Sequence, residues 1–224
     1  MEEEKPPFDL RFKTGNWLIV APSSSGKTTF LLNLLRHNQL LFKRPIKSVL
    51  YFYKEEDEKF EQFKRMENVN VKFIKNAPED FEEVKYLIQE LPKDGGRALV
   101  FDDLATNLPP YLTTLFTVYS SHWGLDIFVL NQSLYNSKDP NFRILNLNAH
   151  YLVYFRTPRD LSQIKILTRQ VAPSKSTILT RAIEMATSAP YSYILMDFTV
   201  DCPDSLRFRS NILPQEAPLR VYTI

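Results

Sequence analysis

The 224-residue chain is long enough for one substantial α/β domain and short for two, and its 44% hydrophobic and 13% aromatic content excludes a wholly disordered polypeptide. A net charge of +2 announces no nucleic-acid binding by itself, and a single cysteine, Cys202, excludes an intramolecular disulfide framework. The lone thiol reads as structural, and a reducing, intracellular compartment is the expected home of a soluble chain.

The first seven residues are acidic and proline-bearing, the opposite of a basic-then-apolar secretory signal, and are expected to be flexible. No apolar run approaches the ~20 residues that a transmembrane helix needs. Gly15 with Asn16 predicts a tight turn joining short strands over 9–13 and 17–21. Apolar strand-like runs follow at 17–20, 48–53, 69–74, 98–101, 126–130 and 150–155. Helical patterns lie between most of them, at 27–36, 81–91, 110–121 and 160–170. The mixed-charge stretch 54–65 reads as a solvated helix. Gly95 and Gly96 break the chain before the run at 98. After a further helix over 176–185, residues 193–199 and 206–212 suggest a strand pair within a C-terminal extension, 191–224. Near-continuous apolar strands alternating with helices argue for a mainly parallel sheet sandwiched between helices, in one domain over 1–224.

The first chemistry-bearing segment is Ala21-Pro22-Ser23-Ser24-Ser25-Gly26-Lys27-Thr28, followed by Thr29, set between an apolar strand and a helix. That is the context of a P-loop, or Walker A motif. Successive loop amides form an anion nest, and the helix N-terminus adds partial positive charge. Gly26 permits close backbone approach, Lys27 reaches β and γ phosphates, and Thr28 offers its hydroxyl to Mg²⁺. Ala21 replaces the first glycine of the usual pattern. The competing reading is a small polar turn before a helix.

Asp102 and Asp103 end the apolar run 98–101, where a Walker B carboxylate holds the metal of Mg-ATP. Asp102 is the expected metal-side ligand. Asp103 is the expected base for the attacking water, although one methylene shorter than the glutamate many such ATPases carry. Both could instead cap the following turn. Gln132, at the end of the strand 126–130, either senses the γ-phosphate or terminates the strand through backbone hydrogen bonds. His122 reads as a helix C-terminal residue.

Between 143 and 181 stand Arg143, Arg156, Arg159, Lys165, Arg169, Lys175 and Arg181 against one acid, Asp160, a basic segment hidden by the near-neutral total. Arg156 or Arg159 could enter a neighbouring subunit's site, and the others could face DNA phosphates. A solvated helix face is the plain alternative.

The ordered blocks 21–30, 100–104 (Val-Phe-Asp-Asp-Leu), 120–123 (Ser-Ser-His-Trp), 130–135 (Leu-Asn-Gln-Ser-Leu-Tyr) and 147–160, after a Pro7-Phe8 lead-in, resemble the genome-packaging ATPases of the poxvirus type. Within the FtsK/HerA superfamily, the likeness is strongest to the versions carried by Polinton or Maverick elements and adintoviruses, and spans roughly 8–173. The resemblance implies an additional-strand, RecA/FtsK/HerA-like P-loop fold with the Gln132 strand between the phosphate-loop strand and the Asp102 strand. It further implies a hexameric ring that drives double-stranded DNA into a capsid, with capsid or portal-vertex proteins as partners, a nuclear or viral-assembly location, and an arginine, Arg156 or Arg159, contributed in trans. Two other classes stay open: a nucleoside or nucleotide kinase with Arg156 and Arg159 in a lid, and a non-hydrolysing scaffold that binds ATP to assemble.

Overall fold

A computed structural model describes residues 8–103, 108–135, 140–157, 161–216 and 218–224. The lead-in 1–7 and Arg159 therefore lie outside the described residues. The chain folds as β1 (Asn16–Val20), α1 (Lys27–Arg36), α2 (Asn38–Leu41), β2 (Ile46–Tyr53), α3 (Phe60–Lys64), β3 (Asn70–Lys75), α4 (Phe81–Glu90) and β4 (Gly96–Asp102). Next come α5 (Tyr111–Thr114), a π-helical stretch (Leu115–Tyr119), α6 (Ser120–Trp123), β5 (Leu125–Asn131), α7 (Pro140–Asn148), β6 (Tyr151–Phe155), α8 (Ser162–Val171) and α9 (Ser176–Ala186). The strands β7 (Tyr193–Asp197), β8 (Phe208–Ser210) and β9 (Arg220–Tyr222) close the order, with single turns of 3₁₀ helix at Pro173–Lys175 and Asp204–Leu206.

The strands form one nine-stranded sheet in the order β3-β2-β4-β5-β1-β6-β7-β8-β9. The six from β3 to β6 run parallel, whereas β7, β8 and β9 continue the sheet antiparallel. β5 lies between β1 and β4, as the resemblance implies.

Every residue of β1 and β5 is buried, because helices cover both faces of the central sheet. Alternation along each strand divides the core into two layers. Leu18, Val20, Leu99, Phe101, Ile127 and Val129 face a layer shared with Val84 and Ile88 of α4, Leu115 and Phe116, and Ile164 and Ile183 of α8 and α9. Trp17, Ile19, Ala98, Val100, Phe128 and Leu130 face the opposite layer, closed by Phe30, Leu31, Leu34 and Leu35 of α1 and by Phe60 and Phe63 of α3. Each of the valine, leucine, isoleucine and phenylalanine side chains among them contributes about 1.5–3 kcal/mol on burial. The strand ends are thereby held in fixed register.

Several expectations are corrected. Residues 9–13 form no strand paired with β1; Phe12 makes only an isolated bridge to Phe42, and Asn16 already belongs to β1. The stretch 54–65 is helical only over Phe60–Lys64. Gly96 lies inside β4 rather than before it, its amide donating to the Pro45 carbonyl at 2.8 Å. A Cβ there would sit 2.8 Å from that same oxygen, so only glycine allows the approach.

Candidate functional site

Because β1, β4, β5 and β6 are parallel, their C-terminal ends share one edge of the sheet, where ligands of open α/β sheets sit. Val20 pairs with Asn131 and with Tyr154, and Asp102 pairs with Leu130. The sequence-predicted loop, both aspartates, Gln132 and Arg156 thus emerge side by side.

Ala21 continues β1. It is fully buried, and its amide donates to the Asn131 carbonyl at 3.0 Å. Its φ is not positive, so this position does not need the glycine of the usual pattern. The turn is made further on, where Ser24 and Gly26 take left-handed φ values of 60° and 100°. The Ser25 amide closes back onto the Pro22 carbonyl at 3.3 Å. Gly26 caps α1 with no side-chain hydrogen bond, and no acid stands in the first turn. The first amides of a helix have no intrahelical partner, so this N-terminus presents donors and partial positive charge to the cavity. Ser23, Ser24 and Thr29 are exposed, and Pro22, Ser25 and Thr28 are half-buried.

Lys27 is 8% exposed, and its ammonium donates to the carbonyls of Ala21 at 2.8 Å and Pro22 at 3.2 Å. Burial lowers its pKa, and the nearby Asp103 and Asp102 oppose that shift. Asp102 is half-buried and accepts a hydrogen bond from the Tyr51 hydroxyl at 2.6 Å. Burial pushes its carboxyl up to about 6, although the Tyr51 bond and the Lys27 charge pull the other way. Tyr51 in turn is held well above the ordinary phenol range by burial and by the neighbouring carboxylate.

Asp103 departs from the strand with φ 52°, its amide donating to the Leu130 carbonyl at 3.2 Å. Both its carboxylate oxygens accept from Gln132 Nε2, each at 2.9 Å. Gln132 is exposed and donates its amide to Asp103, with no backbone partner among the described residues, unlike a simple strand terminator. Among the described residues neither aspartate caps a helix, and the segment 104–107, where a capped turn would follow, lies outside them.

These groups line a depression of about 560 Å³ that also includes Tyr53, Asp57, Asn131 and Tyr135. Tyr51, Asn131 and Asp57 were missed by sequence reasoning. Asn131 could have been found, because its strand-end position is the same signal that singled out Gln132. Tyr51 could not, since its contact depends on β2 lying beside β4. Asn131 Oδ1 is buried without a partner among the described residues, a polar atom waiting at the edge of this depression.

Arg156 is exposed just past β6. Arg143, Lys165, Arg169 and Arg181 are exposed on α7, α8 and α9, and none of them has an ion-pair partner among the described residues. His122 lies in α6, as expected for a helix C-terminal residue. Cys202 is buried, which pushes its thiol up to about 11 and leaves it unreactive.

No protein-family model and no curated protein sequence matches the chain. Solved structures do. The genome packaging NTPase B204 from Sulfolobus turreted icosahedral virus 2, in complex with ATP-gammaS, superposes with a TM-score of 0.57 over 94% of this chain and 98% of that one, at 12% identity. This is a P-loop NTPase fold. The cytoplasmic domain of EssC aligns over 65% of this chain and 32% of that one at 14% identity, with a TM-score of 0.43. Among the described residues no helix is long and apolar enough to cross a membrane.

Proposed function

We propose that the chain is an ATPase that converts Mg-ATP hydrolysis into translocation of double-stranded DNA, packaging a viral or virus-like genome into a capsid. The reading rests above all on one convergence: the open amides of the α1 N-terminus and the Lys27 ammonium face Asp102, Asp103 and Gln132 across a single depression. The likeness to a viral genome packaging NTPase supports the same reading at the level of the fold.

The residues suit the ligand chemically. The two carbonyls now holding the Lys27 ammonium are weaker partners than phosphate oxygens, so a polyphosphate can recruit that charge. Thr28 and Asp102 would hold Mg²⁺, which needs only one or two protein oxygens when substrate phosphates complete its shell. Bound there, the metal would neutralise charge across the β and γ oxygens. Asp103 would accept the proton of the attacking water, whose oxygen bonds to the γ phosphorus while the bond to the β–γ bridging oxygen breaks. Gln132, already touching Asp103, would orient that water. Arg156 or Arg159 would serve a neighbouring subunit of a ring, dispensable for binding but needed for turnover.

The test is phosphate release with and without long duplex DNA across a salt series. Duplex DNA should stimulate turnover at low salt, the stimulation should fade as salt rises, and Lys27→Ala should abolish hydrolysis. Turnover with a nucleotide acceptor and indifference to DNA would favour a kinase, and binding without phosphate release would favour a scaffold. Wild-type turnover in Lys27→Ala would overturn the site itself.

A further inference from the structure

A second depression of about 560 Å³ shares Ser24, Lys27, Thr28 and Asp57 with the first and extends from the phosphate loop to Thr29, Phe30, Asn33, Tyr191 and Tyr193. We infer that it is the nucleobase subsite, and that Tyr191 is the ring on which the base stacks. This inference rests on the phosphate-loop assignment and extends it. With the γ end of a triphosphate directed to Asp102 and Gln132, the chain of phosphates runs past Lys27 and Thr28 toward Thr29, and the nucleoside then leaves the loop on this side.

The far wall is built for rigidity. Phe30 of α1 meets Tyr193 edge-on at 4.7 Å, and Tyr193 packs on Phe155. The Tyr193 hydroxyl donates to Glu216 at 2.6 Å and accepts from the Ile212 amide at 3.1 Å, while the Leu213 amide donates to the same Glu216 oxygen. Tyr191 differs from this braced pair. It is 71% exposed, and it takes a left-handed φ of 62° on the turn where Ser192 bonds back to the Ala189 carbonyl. A bulky residue in that region is strained, and burial of its ring does not explain the strain. Its ring edge stands beside Gly26, 3.5 Å from where a Cβ would be, which fixes an aromatic face at the exit of the phosphate loop.

The experiment measures binding of ATP, CTP and inorganic tripolyphosphate to the full chain and to Tyr191→Ala, Tyr191→Phe and Lys27→Ala. Removing a stacking ring should weaken ATP by roughly 5- to 100-fold and CTP by less, since the purine offers the larger face. Tripolyphosphate, which has no base, should bind Tyr191→Ala as it binds the wild type, and Tyr191→Phe should restore ATP affinity. Equal losses for ATP and tripolyphosphate in Tyr191→Ala would reduce Tyr191 to a prop for the loop and overturn the inference. So would unchanged ATP affinity. In both cases loss of tripolyphosphate binding in Lys27→Ala would leave the phosphate-loop assignment standing, whereas wild-type tripolyphosphate binding in that variant would overturn both.

Discussion

Asp102 is a carboxylate whose folded pKa, about 6, stands above the ordinary 3.8 because burial penalises its charged form more than Tyr51 and Lys27 favour it. The sign of its effect on stability follows. Below pH 3.8 the group is protonated in both states and the folded state suffers nothing. As pH rises through 6 it must ionise in the fold, and the relative advantage of the neutral group is lost. Asn cannot ionise, yet its carbonyl can still accept from Tyr51. Asp102→Asn should therefore melt progressively above the wild type between about pH 4 and pH 7, by at most about 3 kcal/mol, since each tenfold change in an ionisation constant is worth about 1.36 kcal/mol. The same variant should lose hydrolysis, a stability gain set against function. Melting curves that keep a constant separation across that pH range would refute the assignment of the strain to this carboxylate.

On the proposed reading the loop between β1 and α1 carries the binding, and its geometry depends on two left-handed residues, Ser24 and Gly26. At Gly26 an added Cβ would meet nothing closer than 3.5 Å, so space is not the obstacle; the φ of 100° is. Gly26→Ala should destabilise by about 1–3 kcal/mol and lower ATP affinity more than about tenfold, as the amides of the helix N-terminus turn out of line. Calorimetric titration and thermal melting together check it, and a variant matching the wild type in both would show that the loop does not need this conformation. The loop was legible because strand, glycine, lysine and helix follow one another within a few residues, and the central strands were legible because burial on both faces leaves continuous apolar runs. What depends on long-range pairing was hidden. The Tyr51–Asp102 contact requires β2 beside β4, and the Gln132–Asp103 contact requires β5 on the other side. Helix α7 was hard to read because its four apolar side chains do not share one inward face: Phe142 and Leu145 reach the core, whereas Ile144 and Leu147 are exposed among asparagines. The short strand β9 carries only three residues and little burial, too weak a pattern to read.

At the scale of the whole molecule, the sheet edge that gathers the loop, the aspartates and Gln132 also brings out Arg156 beyond Phe155. It stands exposed, whereas the other charged groups of the site are gathered in the depression between β1 and β4. An arginine that completes a phosphoryl-transfer site from a neighbouring subunit is worth about 10³–10⁵ in turnover. If Arg156 acts that way, its loss and the loss of Lys27 fall on opposite sides of one subunit boundary. Arg156→Ala and Lys27→Ala should each be inactive alone. Mixed in equal amounts and allowed to exchange, they should regain activity, because random assortment makes roughly a quarter of the boundaries join an intact Lys27 to an intact Arg156. An arginine serving its own subunit predicts no recovery at any mixing ratio, since every chain then carries one lesion in its only site. Phosphate release from the mixture, with the particle mass followed by light scattering to confirm exchange, separates the two arrangements.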